Sequence, residues 1–168
     1  MKFREKVLSL DKLFQKSSEL RRDGLTLVHC HGTFDLLHPG HLRYFQEAKN
    51  LGDILIVTIT PDRFVNKGEG RPVFNEELRA ESIASLEYVD LVALNDEPNA
   101  VTLLSKLKPQ IYVKGSDYRD HSEDPTGMIS YEVKAVKDAG GDIHYTEGIR
   151  FSSSELIEKY LKPKKECK

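Results

Sequence analysis

The chain contains no tryptophan and only two cysteines, Cys30 inside an apolar run and Cys167 near its end, so a disulfide framework is excluded. Its expected compartment is therefore a reducing one, the cytoplasm. No apolar stretch approaches the roughly 20 residues that cross a membrane, and the first residues lack the apolar core of a signal peptide. Charge of one sign is also missing: 25 Lys and Arg stand against 27 Asp and Glu, a formal net charge of −2. That balance argues against nucleic acid or a membrane surface as the main partner, since both call for a basic surplus. There is no Gly-x-Ser-x-Gly elbow, Cys-x-x-Cys or His-Glu-x-x-His, no internal repeat and no low-complexity tract.

What the sequence does contain is an alternation of apolar runs and amphipathic stretches within 168 residues, 39% of them hydrophobic and 31% charged. Residues 1–161 read as one domain and residues 162–168 as a basic tail or the start of a linker. Ser9 to Asp23 predicts a helix capped by Ser9 and stopped by Gly24. Leu25 to His31 predicts a buried strand, and Asp53 to Thr60, continuously apolar, a central parallel one. Further strands are expected over Tyr88–Leu94, Gln110–Val113 and Asp142–Tyr145. Helices are expected over His41–Leu51, after an Asn75 cap with Glu76 and Glu77 in the first turn, and over Ala100–Leu107, Gly127–Ala139 and Glu155–Leu161. The order implies an α/β fold, a Rossmann-like parallel sheet of about five strands with helices on both faces. In such sheets ligands bind beyond the carboxyl ends of the strands, where the strand order reverses.

After the first predicted strand comes Gly32-Thr33-Phe34-Asp35-Leu36-Leu37-His38-Pro39-Gly40-His41. Gly32 permits a tight turn and close approach to a ligand. Pro39 suits the first position of a helix and pushes His38 into the extended conformation of an N-cap. Two imidazoles thus converge where free backbone N–H groups and the helix dipole favour an anion, which predicts a phosphate site. Zinc is the competing reading, because His29, Cys30, His31, His38 and His41 are crowded together. Successive strand residues face opposite ways, however, so they cannot all meet one ion, and no protein ligand to a metal is expected.

This segment resembles the first motif of the cytidylyltransferase-like nucleotidyltransferases, whose mark is His-x-Gly-His, here His38 to His41. Within that superfamily the chain is most similar to the nucleotidyltransferase domain of the bifunctional ADP-heptose synthases. The likeness runs from Val7 to the serines at positions 152–154. It implies His38, His41 and Lys67 as catalytic residues, with Gly32, Thr33, Phe34, Asp35 and Gly40 around the nucleotide.

Three further segments fall after strands. Asn66 to Val73 is rich in glycine and cations, and Lys67 and Arg71 suit phosphate oxygens; a solvated surface loop is the plain alternative. The resemblance matches its Lys-Gly…Arg-Pro-Val and extends to Arg79, which could instead pair with Glu76 or Glu77. Val113-Lys114-Gly115-Ser116-Asp117-Tyr118 is similar to the family's Val-Lys-Gly-x-Asp-Tyr. Lys114 suits phosphate, and Asp117 a ribose, base or metal. Arg71, Arg79 and Tyr118 are the acceptor-side residues the resemblance suggests. Arg119 to Gly127 is polar, irregular and longer than the resemblance leads one to expect, as a lid over the acceptor would be. Ser152 and Glu155 have the spacing of a capping box, and Ser152, Ser153 and Ser154 stand where the family has a Ser/Thr-rich turn against the triphosphate, with Arg150 just ahead.

The implied reaction transfers a nucleoside monophosphate from an NTP to a phosphorylated acceptor such as a sugar 1-phosphate, releasing pyrophosphate, with Mg²⁺ accompanying the nucleotide. ATP is favoured and CTP is the alternative. A non-catalytic nucleotide-binding regulatory module is the reading from a different class. A homodimer, and a fused or separate sugar kinase, are the protein partners the resemblance leaves open.

Overall fold

Residues Ile54–Ile59 carry apolar or β-branched side chains toward both faces, which suits them only to the middle of a sheet covered on both sides. The computed structural model, which describes residues 2–121, 124, 127–147 and 153–161, places them there. The predicted tail at 162–168 lies outside the described residues, as do parts of the 119–127 segment.

In chain order the elements are β1 (Val7–Leu8), α1 (Leu10–Arg22), β2 (Leu27–Gly32), α2 (Pro39–Lys49), β3 (Ile54–Ile59), α3 (Glu76–Ala84), β4 (Leu91–Leu94), α4 (Val101–Leu107), β5 (Ile111–Lys114), α5 (Ile129–Asp138), β6 (Asp142–Tyr145) and α6 (Ser153–Leu156). The sheet has six strands in the order β1-β4-β3-β2-β5-β6. Every pairing in it is parallel. Phe45, Ala48, Ala80 and Ile83 from α2 and α3 pack with Val28, Cys30, Leu55 and Val57 on one face. Leu13, Leu20, Leu103 and Leu107 from α1 and α4 pack with Leu27 and Ile56 on the other.

The expected strand count falls one short. β1 is a two-residue edge strand, too brief to show a hydrophobic period, and it is held by register with Val92 and Ala93. Lys6 anchors the segment before it, donating to the carbonyls of Leu86 at 3.0 Å and Val89 at 2.7 Å. β4 is shorter than expected because Leu86 to Val89 close a turn after α3. Ser9, His38 and Asn75 cap their helices as predicted, each accepting from the backbone three residues on. The last helix is α for one turn only and continues as a wider π turn over Ile157–Leu161.

The chain runs β2, β3, β4 outward, then returns to place β5 on the other side of β2. The strand order therefore reverses between β2 and β5. The crevice beyond their carboxyl ends, Gly32 and Lys114, is where a ligand site is expected.

Candidate active site

The turn leaving β2 is tight. Phe34 adopts a left-handed backbone with φ of 47°, a conformation costing a non-glycine residue on the order of 1–2 kcal/mol. Its ring folds back over Gly32, where an added Cβ would stand 3.1 Å from Phe34 Cζ. A side chain at Gly32 would therefore crowd the Phe34 ring, which would have to give by a few tenths of an ångström. The same ring lies edge-on to His41, with centroids 5.5 Å apart, and rests on Phe45 and Tyr44.

His38 caps α2 through Nδ1, which accepts from His41 N at 3.4 Å, and Pro39 occupies the first turn. The two imidazoles stack, with centroids 3.8 Å apart and planes 20° from parallel. Burial depresses both; for His41, the neighbouring His38 and then Lys67 add to it, pushing its pKa down to about 3. Both rings are therefore neutral near pH 7, hydrogen-bonding groups poised beside the N-terminus of α2. His41 Nδ1 is buried without a hydrogen bond of good geometry.

The 66–73 segment is pinned to this turn by Asp35. One carboxylate oxygen accepts from Arg71 Nε at 2.5 Å and the other from Val73 N at 2.6 Å. The Asp35 side chain is fully buried and that of Arg71 nearly so, leaving Arg71 Nη2 buried with no partner among the described residues. Lys67 is an exposed residue, yet partial shielding and then Arg71 lower the pKa of its ammonium, with Asp35 opposing. Its charge in turn depresses His41, which places it within electrostatic reach of the motif.

Arg79 is sited differently from its sequence expectation. It pairs with neither Glu76 nor Glu77, and at 1% exposure it faces no open crevice. Nε donates to Phe74 O, Nη1 to Thr33 O, and Nη2 to Thr60 O at 2.9 Å and Asp62 Oδ1 at 2.6 Å. Its donors stitch the β2 turn, the end of β3 and the entry to α3 together, beneath the site.

Across the crevice, Lys114 ends β5. Its ammonium sits 2.9 Å from Glu132 Oε2 and over the rings of Tyr112 and Tyr118, at 5.3 and 4.8 Å. Asp117 is exposed, and its carboxylate folds back over Gly115, occupying the space a Cβ there would need. Two bonds tie the halves together: Tyr44 on α2 donates to Val113 O at 2.6 Å, and Ser153 at the start of α6 donates to Leu36 O at 2.9 Å. Ser154 is exposed. Arg150 and Ser152 lie outside the described residues. Among the described residues no group of three or more His, Cys, Asp or Glu side chains is arranged to hold a metal.

The cytidylyltransferase-like family profile matches residues 29–159, spanning every one of these features from β2 to α6. The chain belongs to the cytidylyltransferase-like family. Its fold and motif are those of a nucleotidyltransferase domain. It is 39% identical over 167 residues to the bifunctional protein HldE of Campylobacter jejuni (strain RM1221), covering 98% of this chain and 33% of that protein. It is 38% identical over 159 residues to the bifunctional protein HldE of Rhodopseudomonas palustris (strain HaA2), covering 92% of this chain and 31% of that one. The chain thus spans about a third of the length of these curated relatives. Among solved structures, a lipopolysaccharide core biosynthesis protein from Thermoplasma volcanium GSS1 aligns with a TM-score of 0.58 at 28% identity, covering 77% of this chain and all of that one. The pantoate-beta-alanine ligase of Francisella tularensis shares the fold at a TM-score of 0.61 and 16% identity, over 90% of this chain and 72% of that one.

Of the residues expected from the sequence, the structure brings His38, His41, Lys67, Arg71 and Asp35 into one cluster, with Gly32, Thr33 and Phe34 forming the turn beside it and Gly40 in the first turn of α2. Lys114 and Tyr118 form the opposite wall. Asp35 meets protein partners with both oxygens, which gives it a hold on Arg71. Sequence reasoning missed Glu132 and Tyr44. Glu132 lies in the first turn of α5, and its burial to 3% exposure is what marks it.

Proposed function

We propose that this domain transfers a nucleoside monophosphate from an NTP, ATP in preference to CTP, to a sugar 1-phosphate-type acceptor, releasing pyrophosphate. The observation that carries the reading is the stacked, neutral His38–His41 pair at the N-terminus of α2, opening on the β2/β5 switch point. The family and the relatives named bifunctional protein HldE support adenylyl transfer to a sugar phosphate, and a sugar kinase, fused or separate, as supplier of that acceptor. The cytoplasm is the compartment proposed, where the buried free thiol of Cys30, pushed up to about 12 by burial, stays inert.

In this reading an acceptor phosphate oxygen attacks the α-phosphorus in line, and the α–β bridging oxygen leaves with the pyrophosphate. No covalent enzyme intermediate forms. Positioning and charge stabilisation supply the rate. His38 and His41 donate to the α-phosphate as charge develops, the neighbouring anion raising their depressed pKa values. Lys67 neutralises the phosphates from the glycine-flanked side of the crevice, and Arg71, aimed by Asp35, offers its spare Nη2 to an acceptor oxygen. Lys114 and Tyr118 line the opposite wall, with Ser152, Ser153 and Ser154 and Arg150 proposed around the triphosphate.

Mg²⁺ would come with the nucleotide, not on a set of protein ligands, and would supply charge neutralisation for the leaving pyrophosphate. The chain's donors fit that arrangement: the buried, unsatisfied Arg71 Nη2 and the imidazole nitrogens suit phosphate oxygens, whereas Mg²⁺ takes oxygen ligands.

The test is a screen of the four NTPs against sugar and alcohol phosphates, reading pyrophosphate release. Release with ATP that depends on both a sugar phosphate and a divalent metal is the expected result. Nucleotide binding without release in any combination would return the chain to a regulatory module, and NTP hydrolysis undiminished without acceptor would make it a phosphohydrolase.

A further inference from the structure

Opposite the histidine motif lies a second buried polar construction, of which the reaction scheme uses Lys114 but not Glu132. Glu132, on α5, is 3% exposed, and its carboxylate meets three partners in two other segments, the entry to α4 and β5. Oε1 accepts from Ala100 N at 3.0 Å; Oε2 accepts from Tyr112 Oη at 2.9 Å and from Lys114 Nζ at 2.9 Å. Ala100 stands at the N-cap position of α4 and has no side chain able to cap, so Glu132 satisfies that helix end from another helix. A buried carboxylate is tolerated only when paired and hydrogen-bonded, and this one is both.

Lys114 is equally constrained. Burial lowers its pKa, but Glu132 and then Tyr118 outweigh burial and the pKa lies above the ordinary value. Burial raises the pKa of Glu132, but Lys114 beside it leads the opposing effects and the carboxyl lies below its ordinary value. The pair is therefore fully charged inside the fold. An ammonium has three N–H bonds, and Glu132 takes one of them. The rings of Tyr112 and Tyr118 restrict how the ammonium can turn.

We propose that Glu132 is a positioning residue of the transfer site, fixing the Lys114 ammonium at the β2/β5 crevice so that its remaining N–H bonds meet a substrate oxygen. Lys114 enters the crevice as an aimed hydrogen-bond donor whose charge is already compensated. Its worth lies in direction, and direction is lost when Glu132 is. The proposal rests on the reading of Lys114 as a substrate contact.

The experiment measures pyrophosphate release by the parent chain, Lys114→Met, Glu132→Gln, the double variant and Tyr112→Phe, titrating NTP and acceptor separately. Lys114→Met is expected to raise one of the two KM values by about tenfold, the scale of one charge-assisted hydrogen bond. Glu132→Gln should raise that same KM by a similar factor, with the other KM and kcat within about threefold. The double variant should be no worse than Lys114→Met, because the two residues act as one. Tyr112→Phe keeps the ring beside the ammonium and removes another donor from the same carboxylate oxygen, so it should lower Tm and move that same KM by less than Glu132→Gln does. A normal KM in Glu132→Gln beside an impaired Lys114→Met would overturn the proposal, as would losses that multiply in the double variant. Should Glu132→Gln not fold, the double variant, which leaves no unpaired charge, decides against Lys114→Met alone by the same criterion. A Lys114→Met enzyme with unchanged kinetics would sink the reading of Lys114 and the proposal together. A parent chain that releases no pyrophosphate would instead count against the proposed reaction.

Discussion

His38→Asn separates catalysis from architecture. His38 Nδ1 caps α2 by accepting from His41 N, and at 3.4 Å the bond is long. Asparagine is among the best N-cap residues, so the substitution keeps the cap and removes the imidazole; a change in stability of about 1 kcal/mol is the most it should cause. The catalytic loss is of another size. Removing one donor aimed at charge that develops in a transition state costs roughly 10²–10³ in rate, or about 3–4 kcal/mol. The two rings stack at 3.8 Å, and each is depressed by burial, so both are neutral at pH 7 and each keeps one N–H to donate to nucleotide. His41→Asn should lose a similar factor in kcat with a larger stability cost, since that ring also packs against Phe34. The assay pairs kcat at saturating substrates with NTP Kd by titration and Tm for each variant. Near-normal kcat in both variants, with Tm lowered, would show that the pair only builds the helix end, and the transfer mechanism would lose its central residues.

Acid should destabilise the fold through its buried histidines. The pKa of His31 is pushed down to about 4 by burial, Lys114 adding to it, while the unfolded chain titrates near 6.5, so stability is full above pH 6.5 and falls as pH drops toward 4. Urea unfolding at pH 7 and pH 5 should differ by about 2 kcal/mol through His31 alone, and His31→Asn should flatten that difference; an equal slope in both proteins speaks against it. Arg79→Met should cost about 3–5 kcal/mol, leaving Asp62 and the carbonyls of Thr33 and Thr60 without their donor, with a lowered urea midpoint as the readout. A surface-like loss below about 0.5 kcal/mol would show that the stitch carries no weight. Arg71→Met should raise acceptor KM more than NTP KM, and Asp35→Asn should follow it in kind, because Asp35 aims Arg71; a selective rise in NTP KM would reassign Arg71 to the nucleotide.

Periodicity and end signals made most of the fold legible. Continuous apolar runs marked β2 and β3, and Ser9, His38 and Asn75 announced their helices, because strand burial and N-capping are written in single residues and short spacings. β1 was illegible because two edge residues have no period and depend on a partner nearly ninety positions away. At the site, the His-Pro-Gly-His segment and the cations at strand ends could be read, whereas the partners of those cations could not. Nothing local distinguishes Arg79 under the site from an arginine within it, nor Glu132 from a solvent-facing helix residue. Both differ only in tertiary contacts.

Those partners explain how a crevice can hold several cations before any phosphate arrives. A buried ammonium without a counter-charge would lose its proton, and a buried guanidinium, which keeps its own, would cost several kcal/mol. Here Arg71 rests on Asp35, Arg79 on Asp62 and Lys114 on Glu132, while the two motif imidazoles stay neutral. Exposed Lys67 is the contrasting member, with its ammonium's pKa lowered by partial shielding from solvent and then by Arg71. Compensation of this kind weakens the long-range pull on an anion but fixes the direction of each remaining N–H. In phosphoryl chemistry, where charge moves among oxygens more than it accumulates, fixed direction is the greater part of what a protein supplies. Nucleotide binding to such a site should therefore depend less steeply on salt than the number of cations suggests, since screening acts on uncompensated exposed charge and Lys67 is the main bearer of it.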